Sequence, residues 1–582
     1  MIRFYKFVIP ALVFLTLASF NTAYMMPTDF KWVLVACMSA IIMLTGAWHI
    51  LRTRELTLDS IDLSLTLFTG YAALSLMWTP DPHNGFVFIL CWLSMWSVLT
   101  IIKNKYKEDD AYASIYLATS SAALLVMMLH YIVPGKWSGF YNENFVTEFL
   151  LLTLPFIVGA IFSYRDSWVI RIVGVGLLIW IAVYLFWQNP SKIEFFVLPI
   201  VLGGWGLVRL WNFSRKSSLI LVALGVAVFF ILVWVKWSGD NGYGSSIVPR
   251  LSIYFDVILM WLQHPLQGNG VGSFSYLIPN FQERHYEYFH NLDYVVGQFN
   301  LVGAAHNDYL QFLNDFGLFG AIIVALSFDK IYQLLKFTDL NLNTRVGIFG
   351  IAIVLSNAVL EFPLLNPATT LLATISLGLI CSSLKIPVIV HIKGSLTALM
   401  TSLCLFVIAV FLIFAAFRLD GAQREYLKMA NHYGDNPMLA FEHNAEANRL
   451  NPFDFHIRVQ LFQSLIHWNR TSGNPPFAPK EYDSIYAISS TTGPQPLLLI
   501  NRLQYLLDTN HYKENRLEVE TSLITLKKNF PRNLDVWILD AYYDVLSGQK
   551  TEAKKSIATA ENLQPDFTHQ QQIIALNAML AN

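Results

Sequence analysis

The chain has 582 residues, 55% of them hydrophobic and only 14% charged, with a mean hydropathy of +0.46. That composition excludes a soluble globular protein and points to a polytopic membrane protein. A net charge of −1 excludes a basic nucleic-acid surface and an acidic disordered tail, so no nucleic-acid partner is expected.

Cys37, Cys91, Cys381 and Cys404 all lie inside apolar runs, with no CxxC pair and no partner at metal-ligand spacing. They read as packing residues, and neither a metal nor another cofactor is expected. The amino terminus, "MIRFYKFVIPALVFLTLASF", has a basic start and an apolar run like a signal peptide. It lacks a clear small-x-small cleavage site and is followed by many similar runs, so it reads as a retained first span.

Apolar stretches of about 17 to 25 residues mark candidate spans. They fall near 5–24, 31–51, 60–78, 85–102, 111–133, 145–163, 168–188, 192–211 and 217–237. After a long polar interval, four more lie near 316–336, 346–361, 368–384 and 394–416, making thirteen. One alternate set of connections carries Arg3, Lys6, Arg52, Arg54, Lys103, Lys105, Lys107, Arg165, Arg209, Arg215, Lys216, Lys330, Lys336, Arg345, Lys385 and Lys393. The short loops of the other set carry only Lys31, Lys136 and Lys192. Because cytoplasmic loops retain Lys and Arg, the amino terminus is expected in the cytoplasm. The odd span count then puts the 238–315 interval and everything after residue 417 together in the opposite compartment.

The expected fold is therefore all-α. Residues 1–237 form a bundle of nine spans, 238–315 a large far-side loop, 316–416 four further spans, and 417–582 a soluble helical domain. In "VWILDAYYDVLSGQKTEAKKSIATAENLQPDF", Trp537, Gly548, Ala553, Ala560 and Pro565 fall at the spacing of a 34-residue tetratricopeptide repeat. Ala440, Ala447 and Pro452 repeat the end of the pattern, and Pro531 is the counterpart between them. Small residues there let paired helices approach closely, and the prolines stop the second helix.

Polar far-side residues are what the bilayer leaves unexplained. Lys136, Lys192 and Arg250 are cations on the face where the positive-inside bias disfavours them. From Pro249, the apolar positions Leu251, Ile253, Tyr254, Val257, Ile258, Met260, Trp261 and Leu262 predict an amphipathic helix that starts at that proline and ends before His264-Pro265. Arg250 at its amino end would suit a diphosphate, through charge-assisted hydrogen bonds and free helix-terminal N–H groups. The glycine-rich "QGNGVGSF" follows a helix and lacks GK[ST], so a nucleotide loop is disfavoured. His306, just before the apolar run 316–336, is the candidate for proton chemistry. No HExxH, no DxD and no G-x-S-x-G is present.

"AHNDYLQFLNDFGLFG" resembles the His-Asn-x-x-Leu-Gln…Gly-x-x-Gly signature of the O-antigen ligase superfamily, which includes Wzy-type polysaccharide polymerases and bacterial protein O-oligosaccharyltransferases. "VPRLSIYFDVILMWLQHPLQGNGVGSF" resembles the family's Arg-led segment running into Pro-Leu-x-Gly-x-Gly, and "LSLMWTPDPHNG" its early loop. The resemblance implies a GT-C-like, metal-independent transferase of the bacterial inner membrane. Its donor would be an undecaprenyl-diphosphate-linked glycan, and its acceptor a hydroxyl on the periplasmic side. It implies that Arg250 contacts the donor diphosphate and that His306 is the essential site residue. Relatives often show a Ser-Arg-Gly-like start to a span where this chain reads "PSKIEFF". Lys192 there, with Lys136, is the candidate second phosphate contact, although Lys lacks the bidentate fork. Asn142 and Asn144 in "GFYNENF" resemble a polar family loop that bonds sugar, and Asn307 and Asp308 would bind or cap and orient the following helix.

Direct displacement on the glycosyl diphosphate would invert the anomeric centre. The acceptor would be lipid A–core sugar for a ligase, the growing glycan for a polymerase, or a Ser or Thr hydroxyl for a protein transferase. A far-side repeat domain suits recognition of something large, a protein partner included. A transporter of the same lipid-linked sugar is the alternative of a different class. Against it, no inverted repeat or pair of broken helices is evident. A non-catalytic scaffold is the other alternative.

Overall fold

The computed structural model describes residues 2–19, 30–105, 109–132, 143–185, 197, 201, 244–281, 303–336, 340–452, 454–472, 496–563 and 567–581. The first helices are α1 (Ile2–Ala18) and α2 (Phe30–Thr53). Strand β1 (Glu55–Asp59) leads into α3 (Ser60–Ser75), α4 (Pro82–Lys105), α5 (Asp109–Ile132), α6 (Glu143–Ser163) and α7 (Trp168–Val183). After the interval come α8 (Gly244–Gln263), the single turn α9 (Phe274–Leu277), α10 (Asp308–Leu335), α11 (Leu342–Asn357) and α12 (Pro367–Ser383). Strand β2 (Val388–Lys393) precedes the 38-residue α13 (Ser395–His432). Seven further helices follow: α14 (Pro437–Leu450), α15 (Phe455–Ser472), α16 (Pro496–Asp508), α17 (Arg516–Asn529), α18 (Leu534–Leu546), α19 (Lys550–Asn562) and α20 (Phe567–Ala581).

The protein is helical, and among the described residues six helices are long and apolar enough to cross a membrane. They are α2, α4, α5, α6, α10 and α13. α6 is central, with Phe149, Leu150, Leu151, Phe156 and Ile157 fully buried. α7 instead presents Trp168, Ile172 and Ile179 outward, an apolar surface that only lipid solvates well. The candidate spans at 192–211 and 217–237 lie outside the described residues, apart from residues 197 and 201.

The two ends of the bundle differ. At one end β1 pairs antiparallel with β2, Glu55 opposite Lys393, and Lys103 Nζ joins Asp59 at 2.7 Å and Asp62 at 2.8 Å. Arg52, Arg54, Lys385 and Lys393 flank the ribbon, so cations from distant loops meet there. At the other end the turn after α3 holds the glycine-rich loop: Thr79 donates to the Val271 carbonyl at 3.0 Å, and Tyr71 to the Gln267 carbonyl at 2.7 Å. Lys31, grouped by sequence with the far-side cations, is fully buried, and its ammonium donates to the Thr16, Leu17 and Ser19 carbonyls at the end of α1. It closes a helix terminus whose carbonyls lack intrahelical partners.

Three expected boundaries move. α8 starts at Gly244, five residues before Pro249, so Arg250 is its seventh residue. The free N–H groups of the helix terminus therefore do not accompany Arg250. α10 begins at Asp308 rather than near 316, and kinks at Gly317, where φ is 60° and ψ −164°. A Cβ there would meet the Leu266 carbonyl oxygen at 2.4 Å, so the close approach requires glycine. The boundary at 417 lies inside α13, which continues unbroken from its apolar half into its polar half, because strong helix formers succeed Phe417.

The carboxy-terminal helices pack against their neighbours in the chain, α14 on α15 and α18 on α19. Ala440, Ala447, Ala553 and Ala560 are fully buried, as close helix approach requires, and Gly548 makes its turn at φ 76°. Trp537 Nε1 donates to the Pro531 carbonyl at 2.7 Å. Pro565 lies outside the described residues. This domain sits on the glycine-loop end: Tyr276, only 2% exposed, enters the same apolar core as Phe441, Phe462, Leu503 and Tyr505.

Candidate functional site

Glu361 organises the site. It lies in the turn between α11 and α12, not at the end of an apolar span, and its carboxylate is 1% exposed. An isolated buried carboxylate is costly, and three donors from distant segments offset that cost. Arg250 Nη2 donates to Oε1, Asn144 Nδ2 donates to the same oxygen at 3.1 Å, and His306 Nδ1 stands 3.0 Å from Oε2. With Nδ1–H given to the carboxylate, Nε2 is the ring nitrogen left to take a proton. His306 and Arg250 keep side-chain exposures of 30% and 21%, so both are reachable while their common anchor is sealed.

His306 has φ 52°, the left-handed region that a histidine seldom adopts. Its neighbours hold that turn. Ala305 N donates to Gln311 Oε1 at 3.0 Å. The Asn307 side chain caps α10 by accepting from Leu310 N at 2.9 Å, and its amide donates to the Val359 carbonyl at 2.9 Å. Asp308 does not cap its own helix: Oδ2 accepts from Leu364 N at 3.0 Å, and its N–H donates to the Ala358 carbonyl. Asn307 and Asp308 thus bind the turn containing Glu361 to the start of α10. The Phe362 ring meets the His306 imidazole edge-to-face, with centroids 4.9 Å apart.

Tyr254, one turn after Arg250, donates its phenol to the His306 carbonyl at 2.6 Å and lies 3.2 Å from the Val359 carbonyl. Burial pushes that phenol up to about 12, with Arg250 opposing and Glu361 reinforcing the shift. Below Asn144 on α6 lies Glu148, fully buried, with neither carboxyl oxygen hydrogen-bonded among the described residues. It is within electrostatic reach of Glu361, Asp308 and Arg250.

The glycine-rich loop is a packing device. Asn269 N donates to the Asn314 carbonyl at 2.7 Å, Gly270 N to the Asp315 carbonyl at 3.1 Å, and Gly272 N to Asp315 Oδ2 at 3.2 Å. Amides already bonded to α10 form no phosphate cradle. At Gly270, φ is 97° and a Cβ would meet Thr79 Cα at 2.6 Å, so glycine is required by that contact.

Of the residues singled out by sequence, His306, Arg250, Asn144, Asn307 and Asp308 come together. Lys136, Lys192 and Asn142 lie outside the described residues. Sequence reasoning missed Glu361, Glu148 and the hydroxyl role of Tyr254. For the two acids the available signal was a carboxylate within or beside an apolar span, where charge is expensive and usually functional. Compared with known proteins, the chain matches no family model and no curated protein.

Proposed function

We propose that the chain is an O-antigen-ligase-type membrane glycosyltransferase, moving a glycan from undecaprenyl diphosphate to an acceptor hydroxyl at the periplasmic face of a bacterial inner membrane. The observation that carries this reading is the meeting of Arg250, His306 and Asn144 on one buried carboxylate, Glu361. The reading places thirteen spans in the membrane, the amino terminus in the cytoplasm and a tetratricopeptide-like domain in the periplasm.

The chemistry follows from the geometry. The acceptor oxygen attacks the anomeric carbon, the bond from that carbon to the diphosphate oxygen breaks, and the hydroxyl proton passes to His306 Nε2. Glu361, accepting from Nδ1, orients the ring and stabilises the imidazolium that forms. The departing diphosphate gains negative charge. Arg250 serves Glu361 through Nη2, while its Nε and Nη1 have no partner among the described residues and are available to two phosphate oxygens. One displacement inverts the anomeric centre, and NMR of donor and product checks it.

The test is reconstitution: the purified full-length protein with lipid-linked glycan and candidate acceptors forms product, and His306→Ala does not. Equal output from both proteins removes the assignment. Among acceptors, the docking of the carboxy-terminal domain through Tyr276 onto the loop bearing the site favours something large, a polymer or a protein, beside lipid A–core. That keeps a Wzy-type polymerase and a protein O-oligosaccharyltransferase as companion readings, distinguished by which acceptor yields product.

A further inference from the structure

We propose that Tyr254 is a positioning residue for the transfer reaction: its hydroxyl fixes His306 in the left-handed turn and ties it to the helix bearing Arg250. This rests on the reading of His306 as the group that meets the acceptor.

A histidine at φ 52° persists only where its surroundings over-determine the backbone. Asn307 and Gln311 determine the two sides of the turn, but both belong to the His306 segment itself or to the helix it opens. Tyr254 comes from elsewhere. It is four residues after Arg250 on α8, hence on the same helix face, and 52 residues from the carbonyl it holds at 2.6 Å. Its second neighbour, the Val359 carbonyl at 3.2 Å, is two residues before Glu361. One hydroxyl has one proton. The proton goes to the nearer acceptor, the His306 carbonyl at 2.6 Å, while the Val359 carbonyl receives the Asn307 amide at 2.9 Å. With the phenol pushed up to about 12, chiefly by burial, it stays a donor across the physiological range.

The hydroxyl's hydrogen-bond partners are backbone carbonyls and not Nδ1, Nε2 or the Glu361 carboxylate, so its effect passes through the backbone. A shift of the histidine carbonyl swings the ring relative to Glu361, and misplacement of a reacting group by about 1 Å costs up to about a hundredfold in rate. Donor binding by Arg250 does not depend on that swing.

The experiment compares Tyr254→Phe with wild type in lipid nanodiscs, using full-length protein. The ring and its packing are retained, and only the donor is lost. We expect kcat to fall about ten- to a hundredfold, with KM for the lipid-linked donor within about twofold. We also expect the His306 imidazole resonance, assigned by its loss in His306→Ala, to move in nitrogen-labelled Tyr254→Phe protein. In the double variant the Tyr254 change adds nothing to the loss from His306→Ala. An unchanged resonance overturns the proposal whatever the rates are. A moved resonance with wild-type rate in His306→Ala keeps the positioning role and removes the catalytic reading instead. Equal losses in kcat and donor affinity would show general disruption and also overturn it.

Discussion

His306 Nδ1 stands 3.0 Å from one oxygen of Glu361, while Arg250 bonds the other oxygen of the same carboxylate. One buried acid therefore fixes both the group proposed to take a proton and the group proposed to hold the diphosphate. Glu361→Gln tests the first connection. The amide retains the size but offers either an oxygen or an N–H to the ring, so the imidazole loses its preferred tautomer. By analogy with other carboxylate–histidine pairs, kcat should drop by about a hundredfold or more. Transfer at wild-type rate by the Gln variant would detach Glu361 from the chemistry.

Arg250 tests the second connection. Arg250→Ala leaves a carboxylate that is 1% exposed without its cation, and breaking such a buried pair costs about 3–5 kcal/mol. Both thermal stability and donor affinity should fall. Arg250→Lys keeps the charge but not the planar fork, so stability should recover more fully than donor affinity. Thermal unfolding alongside donor KM separates the two effects: equal losses in Ala and Lys would show a role beyond charge, and wild-type behaviour of both would remove Arg250 from the donor site.

Much of the bundle was legible because its cause is local. Each apolar run reports its own burial, and of the Lys and Arg residues that mark alternate loops, Arg52, Arg54, Lys103, Lys385 and Lys393 lie in or beside the β1–β2 ribbon. His306 and Arg250 were legible as polar residues where lipid gives no reason for them. Glu361 was not, because its meaning lies in contacts 55 and 111 residues away in the chain. The start of α8 was misplaced for a similar reason. "GYGSSIV" reads locally as a loop and Pro249 as a first-turn residue, yet the helix extends back to Gly244. The glycine loop is the converse case, its glycines being required by contacts with Thr79 and Asp315 that no sequence window contains.

Asp81 gives the meeting of the turn after α3 with the helical domain a pH signature. The turn after α3 buries it, pushing its carboxyl from the ordinary 3.8 up to about 6, while the Asn84 amide and Arg458 of α15 oppose that rise and Asp454 adds to it. The folded state then holds a proton that the unfolded chain has released. Below about pH 4 both states are protonated and the group contributes nothing. From there to about pH 6 stability falls as pH rises, by at most about 3 kcal/mol, and above that the penalty is constant. Asp81→Asn should flatten this part of the stability profile. A profile between pH 4 and 6 identical to wild type would contradict the buried-acid description.

Tyr276 should carry the docking of the helical domain. It is 2% exposed among Phe441, Phe462 and Tyr505, and truncating a large buried aromatic costs about 3–5 kcal/mol. Because it belongs to the loop and not to the domain it enters, Tyr276→Ala should loosen the docking while leaving both partners folded. Limited proteolysis should release the carboxy-terminal helices faster at unchanged membrane-bundle stability. Unchanged cleavage would mean that the domain is held by other contacts.

Glu148 is the residue whose structural cost has no visible return. Its two carboxyl oxygens are buried without a hydrogen-bond partner among the described residues, beside Glu361, Asp308 and Arg250. Leaving such a group unsatisfied costs about 1–3 kcal/mol. Leucine is close in volume and brings no polar atom, so Glu148→Leu should raise stability by about that amount, whereas Glu148→Gln, still polar, should gain less. Sites under functional demand retain groups of this kind at the expense of stability. Transfer activity should therefore fall in the variant that unfolds at the higher temperature. Lower stability for Leu would show that the carboxyl is satisfied after all, and full activity at raised stability would remove Glu148 from the site.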